Sequence, residues 1–402
     1  MSETTVRVIT EAEEFRALAP IWNGLLKACP GQSSMYLTHE WLATWWKHFG
    51  EEKRLNLLLF EKEGKVVGIV PLARNEYRLG PFKLDALESI TWTSCNYVGL
   101  IVPEHLDEVM SVFLDYLKEN LRGVSRILRL SLITEESRFL KALKSAAARA
   151  DGLVFKERVR TLAPYLELPS SQKEYLDSLR KNRRKLIRGT VNRLKRNNHI
   201  VELRQCTVDS LEEDLRRFFD LHQERWQSVG LRGSFSDPRS REFQREVAWK
   251  FLNRGWLYLS TLSIDGDAAS VKFGCIYNDK FYGITTGRNI HYLEYNVGHL
   301  HILETIKYAI SRGLREYDFM QGDEPYKFYW TRSARRYMQV TIIKSGCLPA
   351  LRLRLLRLFL RFWDVRQYSV REVYALLRIR RRERKDNENM GLARQLDKLR
   401  SV

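Results

Sequence analysis

Cysteine is scarce and scattered in this 402-residue sequence. Its five cysteines (Cys29, Cys95, Cys206, Cys275 and Cys347) are odd in number and form neither a CxxC pair nor a cluster with histidine. A disulfide framework and a zinc site are therefore not indicated, and no metal is expected. Long apolar runs are missing as well, since none reaches 18 residues without a charge, so no membrane-spanning helix is expected. The opening residues, MSETTVRVITEAEEF, are polar and acidic. They lack the apolar core of a secretory signal, and a cytoplasmic setting is the expectation. GxSxG, HExxH and P-loop motifs do not occur, which argues against hydrolase, metalloprotease and nucleoside-triphosphatase chemistry.

What is present is a folded chain with an excess of positive charge. A composition 44% hydrophobic and 11% aromatic belongs to globular proteins, and the length suits two or three structural units. The net charge of +19 is concentrated rather than diffuse. Residues 180–196, RKNRRKLIRGTVNRLKR, hold nine Lys/Arg and no acid, and residues 352–385 form a second basic stretch. Clustered charge of one sign implies an anionic partner: phosphates, lipid head groups or nucleic acid.

The order of predicted elements repeats. In the first half, EWLATWWKHFG (40–50) has helical spacing with Gly50 as its cap. LNLLLFE, a turn at Glu63-Gly64-Lys65, and VVGIVPLA then form a predicted hairpin. An amphipathic helix over 106–120 leads to the strand SRILRLSL. In the second half, a helix over 243–252 precedes a three-strand meander, WLYLSTLSI, ASVKFGCIYN and KFYGITTG, with a turn at Asp265-Gly266-Asp267. A helix over 298–311 and the strand REYDFM follow. Matching turns about 200 residues apart indicate duplication of one domain rather than a solenoid.

Helix, meander, helix, strand is the order of the GNAT acyltransferase fold, and the sequence resembles that superfamily. LHQERWQSVGLRGSFSDPRSREFQRE (221–246), YNVGHLHILETIKYAISRGLREYDFMQGDEPYKFYW (295–330) and YLTHEWLATWWKHFG (36–50) are similar to the CelD-type, exopolysaccharide-associated acetyltransferases, tandem-GNAT relatives of the FemABX peptidyltransferases. The resemblance implies an α/β (α+β) fold of two tandem GNAT-like domains with mixed central sheets flanked by helices. The expected division is an N-terminal domain over 1–165, a C-terminal catalytic domain over 166–348 that includes a basic helix at 173–196, and a basic helical tail over 349–402. Acids at the matching helix start of the first half (Glu104, Asp107) would repel a phosphate, so that half is expected to be scaffold and substrate wall.

The candidate site residues lie in the second half. Tyr295, Asn296, Val297, Gly298, His299 and Leu300 stand where a GNAT places its donor loop, at a helix N-terminus whose free N–H groups and dipole suit a pyrophosphate. The resemblance implies acetyl-CoA or another acyl-CoA as donor. The competing reading is an ordinary helix start capped by Asn296. In GDEPYKFYW, family analogy assigns Asp323 as base or acceptor ligand and Tyr326 as acid, with Glu324, Lys327 and Trp330 on the acceptor. Alternatively Asp323 caps a helix begun by Pro325, and the aromatics are core. His222, Arg225 and Trp226 fall on one face of a predicted helix; His222 is a catalytic candidate, and Arg225 and Trp226 suit a polar acceptor. Asp237 reads as a turn or cap residue and, by analogy, also faces the acceptor.

Leu179, Leu186, Ile187, Val191 and Leu194 trace an apolar face on the basic helix, leaving its cations as a solvated surface or a phosphate-capturing one. In the tail, Arg354, Arg357 and Arg361 oppose Leu351, Leu355, Leu358 and Phe362. Such a helix suits the anionic inner face of a membrane, a partner, or the body of the protein. Three functions compete: acyl transfer from acyl-CoA to an amine or hydroxyl of an envelope or polysaccharide precursor carried on a lipid- or nucleotide-linked phosphate; a FemABX-like transfer from aminoacyl-tRNA; and a non-catalytic GNAT scaffold in a membrane-bound synthase complex.

Overall fold

The computed structural model describes residues 3–29, 34–79, 82–91, 99–121 and 126–344, together with Leu358. The chain divides into two compact units. The first takes the chain as far as Leu162 and again from Arg335, and the second is Ala163–Ala334.

The first unit runs β1 (Thr5–Ile9), α1 (Ala12–Ala17), α2 (Ala19–Ala28), α3 (His39–Phe49), β2 (Arg54–Leu55), β3 (Leu57–Lys62), β4 (Lys65–Val70), β5 (Leu72–Leu79), β6 (Phe82–Ser89), α4 (Leu106–Asn120), β7 (Arg126–Thr134) and α5 (Arg138–Arg149). The chain passes into the second unit within β8 (Leu153–Glu167). There it forms α6 (Gln172–Ser178), α7 (Lys181–Arg196), β9 (Val201–Gln205), α8 (Leu211–Gln227), α9 (Pro238–Asn253), β10 (Leu257–Ile264), β11 (Asp267–Tyr277), β12 (Lys280–Arg288), α10 (Val297–Ser311) and β13 (Glu316–Asp318). The last described strand, β14 (Ser333–Lys344), pairs antiparallel with β7.

Each unit has a mixed α/β fold. In the first, β1, β3 and β4 make a small antiparallel sheet, while β5 pairs with β6 and β6 runs parallel to β7, with α4 as the crossover. Leu87, Leu128 and Val340 from the sheet pack with Phe113 of α4 and Leu140 of α5. In the second, β9, β10, β11 and β12 are antiparallel in turn, β13 is parallel to β12 through α10, and the end of β8 closes the sheet beside β13. α10 covers one face, where Ile306 meets Tyr258, Phe281 and Tyr317. α8 and α9 cover the other, where Leu215, Phe218 and Ala248 meet Leu259, Val271 and Phe273. The two expected hairpin turns share one geometry: Glu63 and Gly64 have φ of 52° and 71°, Asp265 and Gly266 of 53° and 86°. Left-handed residues in pairs are what tight two-residue hairpins require.

Five expectations need revision or fall outside view. The basic helix expected over 173–196 is two helices, because Leu179 N–H closes α6 on Leu176 O and Arg180 is extended before α7 begins. Leu186, placed on the apolar face, is 41% exposed. The helix expected to carry Tyr326 to Trp330 is not formed; residues Lys327–Tyr329 make a single 3-10 turn. Residues 335–344, assigned to the second half, complete the first unit's sheet. The tail over 349–402, with Arg354, Arg357 and Arg361, lies outside the described residues. Among the described residues no helix is long and apolar enough to cross a membrane.

One close approach positions the site. A Cβ at Gly287 would lie 2.9 Å from Phe218 O and 3.1 Å from Leu221 Cβ, so only glycine lets α8 lie directly on β12. Gly287→Ala is expected to cost about 1–3 kcal/mol through overpacking. Urea denaturation should show a lower midpoint with the slope unchanged, and an unaltered midpoint would mean that α8 yields freely.

Candidate active site

The site is built around a fork. β12 and β13 pair over only three residues, Lys280, Phe281 and Tyr282 against Glu316, Tyr317 and Asp318. β12 then continues to Arg288, while β13 ends. The buried Asp318 carboxylate accepts a 2.7 Å hydrogen bond from Met320 N–H and turns the chain away. Met320 and Gly322 take φ of 65° and 108°, the second at a glycine, where that backbone is free of Cβ strain. Lys327, 3% exposed, donates from Nζ to Met320 O (3.2 Å), Gln321 O (2.5 Å) and Gly322 O (3.4 Å), and pairs with Glu324 at 2.8 Å. Lys327 and Glu324 therefore hold the loop together; the expected contact of Lys327 with an acceptor anion is replaced by these carbonyls. Asp323 is half-buried on this loop, and Tyr326 is 41% exposed beside Arg288.

Cations gather at the end of β12. Lys272 on β11 is buried and donates to Thr286 Oγ1 at 3.2 Å across the strand pair. Burial, with Lys327 and Arg288 nearby, lowers its ammonium to about 7. Arg288 is held below its ordinary range by burial and then by Arg225. Among the described residues, none of Lys272, Arg288 and Arg225 meets a carboxylate, and Arg225 Nε is buried without a partner.

The three residues expected on one helix face sit on α8. Trp226 Nε1 donates to His222 Nε2 at 3.0 Å. Since indole only donates, His222 carries its proton on Nδ1, which is buried without a partner. The ring packs edge-on against Phe235 at 4.7 Å, and burial holds it down to about 4. His222 is thus neutral, and it would have to give up Trp226 before accepting a proton. Asp237 caps α9 by accepting from Arg239 N–H at 3.0 Å, ahead of Pro238.

The expected donor loop is largely interior. Val297 and Leu300 are core residues, and Tyr295 Oη is held by His199 Nε2 (2.9 Å) and Asn197 Nδ2 (3.1 Å). Asn296 is left-handed, with φ 50°, and makes no side-chain cap. α7 lies on this first turn of α10: Arg183, Leu186, Ile187 and Thr190 meet Asn296, His299, Leu300 and Leu303 around a crevice of about 10 Å³. Arg183 donates to His299 Nδ1 at 2.6 Å and stacks on Tyr329 and Trp330, 4.6 and 4.3 Å from the ring centres. Trp330, expected on the acceptor, is 2% exposed beneath that guanidinium and cannot reach a substrate.

Lys272, Thr286, Arg288 and Arg183 were not anticipated. The cue for Lys272 is a lysine at an inward position of a strand whose neighbours, Val271 and Phe273, are fully buried. For Arg183 it is an arginine in phase with Ile187 and Leu194.

Residues 181–328 match the protein family described as "Acetyltransferase (GNAT) domain". Among solved structures, FemX is similar at 12% identity, covering 85% of this chain and 97% of that one with a TM-score of 0.56. A conserved protein of unknown function from Bacteroides thetaiotaomicron is similar at 13% identity, covering 84% and 99%, with a TM-score of 0.52. At these identities the two structures establish fold alone. No curated protein matches the sequence. The region 181–328 is a GNAT acetyltransferase domain, and the protein is an acyltransferase. Beyond that region, the likeness of the chain to FemX is one of fold.

The buried bases set a pH dependence of stability. The folded protein lowers Lys272 from 10.5 to about 7, so the unfolded chain binds more protons in that interval, and stability should rise as pH climbs from 7 to 10.5. Burial lowers His222 from 6.5 to about 4 and, aided by nearby cations, His299 and His301 from 6.5 to about 3. By the same sign, stability should fall as pH drops below about 6.5. In urea titrations at several pH values, Lys272→Met should be no less stable than the parent at pH 7 and should lose the alkaline rise. An unchanged slope would mean that Lys272 titrates normally.

Proposed function

We propose that the second unit transfers an acyl group from acyl-CoA to an amine or hydroxyl at the rim of the β12–β13 fork. The observation that carries this reading is the loop leaving the fork, tied down by Lys327 so that Asp323 and Tyr326 occupy its outer turn. In this scheme Asp323 takes the proton of the attacking amine or hydroxyl. The new C–N or C–O bond forms as the C–S bond breaks, and Tyr326 protonates the departing thiolate. Asp323→Asn and Tyr326→Phe are nearly isosteric. Each should reduce turnover by about 10²–10⁴ with little change in melting temperature. Near-normal turnover in both would reduce the loop to structure.

The acceptor class proposed is an envelope or exopolysaccharide precursor, in keeping with the CelD-type resemblance, at the cytoplasmic face of the membrane. The first unit serves as scaffold and substrate wall in this reading. A second reading, aminoacyl-tRNA as donor, is favoured by α7. Its Lys181, Lys185, Arg188, Lys195 and Arg196 are exposed, and the helix covers the turn where a pyrophosphate would otherwise sit. Thermal-shift titration separates the two donors, because a ligand that binds only the native state must raise the melting temperature. Stabilisation by acetyl-CoA or a longer acyl-CoA, and not by total tRNA, is expected; the reverse result would establish the second reading.

A further inference from the structure

We infer that the free edge of β9 is a dimerisation surface, on which β9 pairs antiparallel with β9 of a second copy of this chain about a two-fold axis at Leu203. The inference goes beyond the acyl-transfer reading and does not depend on it, since β10 and β11 stand between this edge and the β12–β13 fork.

Apolar exposure concentrates along this edge. Ile200, Val201, Leu203 and Val208 are 66%, 38%, 39% and 60% exposed, four large aliphatic side chains within nine residues. Single exposed side chains are ordinary, but a group of them on an open sheet edge marks a surface that another chain covers. Among the described residues β9 pairs with β10 and with no other strand. Free edges are commonly guarded by lysine, proline or a bulge. The strand VELRQ has no lysine or proline, and its register with β10 is unbroken from Val201 to Gln205.

The ladder with β10 shows which backbone groups face outward. Cys206 N–H bonds Leu259 O at 2.8 Å, and Asp265 N–H bonds Ile200 O at 2.9 Å. Both contacts continue the register in which Arg204 faces Thr261 and Glu202 faces Ser263. Hydrogen-bonded and non-bonded pairs alternate in an antiparallel ladder. The backbones of Ile200, Glu202, Arg204 and Cys206 therefore turn to β10, and Val201, Leu203 and Gln205 present their N–H and C=O groups outward.

Those three residues are self-complementary. A two-fold axis beside Leu203 sets it opposite Leu203 of the second copy, with Val201 opposite Gln205 on either side. Each of these pairs exchanges both N–H···O bonds, so every outward group of β9 is met. Between them, Glu202 stands opposite Arg204 of the second copy, once on each side of the axis. These are the non-bonded positions, where side chains approach most closely and opposite charges stabilise the pairing. Glu202 is exposed and meets no cation among the described residues. Arg204 is anchored by the buried Asp214 carboxylate and by Ser210 Oγ, yet its side chain stays 46% exposed. The order Glu-Leu-Arg, reversed across a two-fold axis, supplies its own counter-charges, which is why the occupant is a second copy rather than a foreign strand.

A five-residue edge is short against the area of a stable interface, so a weak dimer is expected, with Kd of about 1–100 µM. Sedimentation velocity on the full chain should show the parent passing from monomer to dimer across that range. Leu203→Lys and Leu203→Glu each place like charges across the axis, and each should weaken association by about tenfold or more. Because the side chain is exposed, both should melt as the parent does in dilute solution. Mixed in equal amounts, the two variants bring opposite charges together and should dimerise again. Hydrogen exchange on the parent gives a check that needs no variant. Raising the concentration should protect the amides of Val201, Leu203 and Gln205, while those of Glu202 and Arg204, already bonded to β10, are protected throughout. The proposal is overturned if the parent stays monomeric at about 100 µM, if both variants dimerise as the parent does, or if their mixture remains monomeric. Protection of the three outward amides in a monomeric parent would assign the edge to another segment of this chain, and that too overturns it.

Discussion

A parallel strand pair three residues long governs the second unit. Because β13 stops at Asp318, its hydrogen-bonding edge ends while β12 runs on for six more residues. The chain leaving β13 must then satisfy its own backbone. It does so through the Asp318 carboxylate on Met320 N–H and through Lys327, whose three N–H bonds can serve three carbonyls from one point. Left-handed Met320 and Gly322 aim those carbonyls inward. A longer parallel pair would leave no such loop, and Asp323 and Tyr326 would have no rim to occupy.

The polar interior between α10 and the sheet follows from the same layout. His301 bridges Ser260 and Ser270 at 2.8 and 3.0 Å, linking α10 to β10 and β11 by hydrogen bonds of a neutral ring. His299 is likewise a neutral partner of Arg183. Neutral histidines satisfy buried donors and hydroxyls without adding charge, which matters in a region already crowded with cations. Protonating them would place charge beside Lys272, Arg183 and Arg288, which is why the same residues make the fold sensitive to acid.

Much of the fold was legible because its signals are local. The meander, the turn at Asp265-Gly266 and the helices α4 and α10 each carry period or turn chemistry within a few residues. The hairpin β5–β6 and the long strand β8 went unread: RNEYRL and VFKERVR mix charges into half-exposed strands and blur the alternation. The site was legible only in part. GDEPYKFYW marks the right loop, but the individual roles depend on where each side chain ends. Sequence spacing could not show that Lys327 points back to carbonyls or that Trp330 lies beneath Arg183. Lys272 and Arg288 come together through strand pairing, and no interval along the chain encodes that register.

The two units repeat one topology but treat charge at the fork differently. In the first, β6 and β7 run parallel from Asp85 and Arg126 to Glu88 and Arg129. There the last pair is a buried ion pair, Glu88 with Arg129 at 3.0 Å. Asn75 and Tyr77 each donate to the other carboxylate oxygen at 2.6 Å. Burial pushes the Glu88 carboxyl up, and the Arg129 charge pulls it back. A buried ion pair with these extra bonds offsets part of the desolvation of both groups. In the second unit the last pair is Tyr282 with Asp318, whose buried carboxylate accepts from Met320 N–H and turns the chain. The duplicated fold thus supplies two forks, one with a buried ion pair at its last strand pair and one with a buried carboxylate that turns the chain into the loop carrying Asp323 and Tyr326.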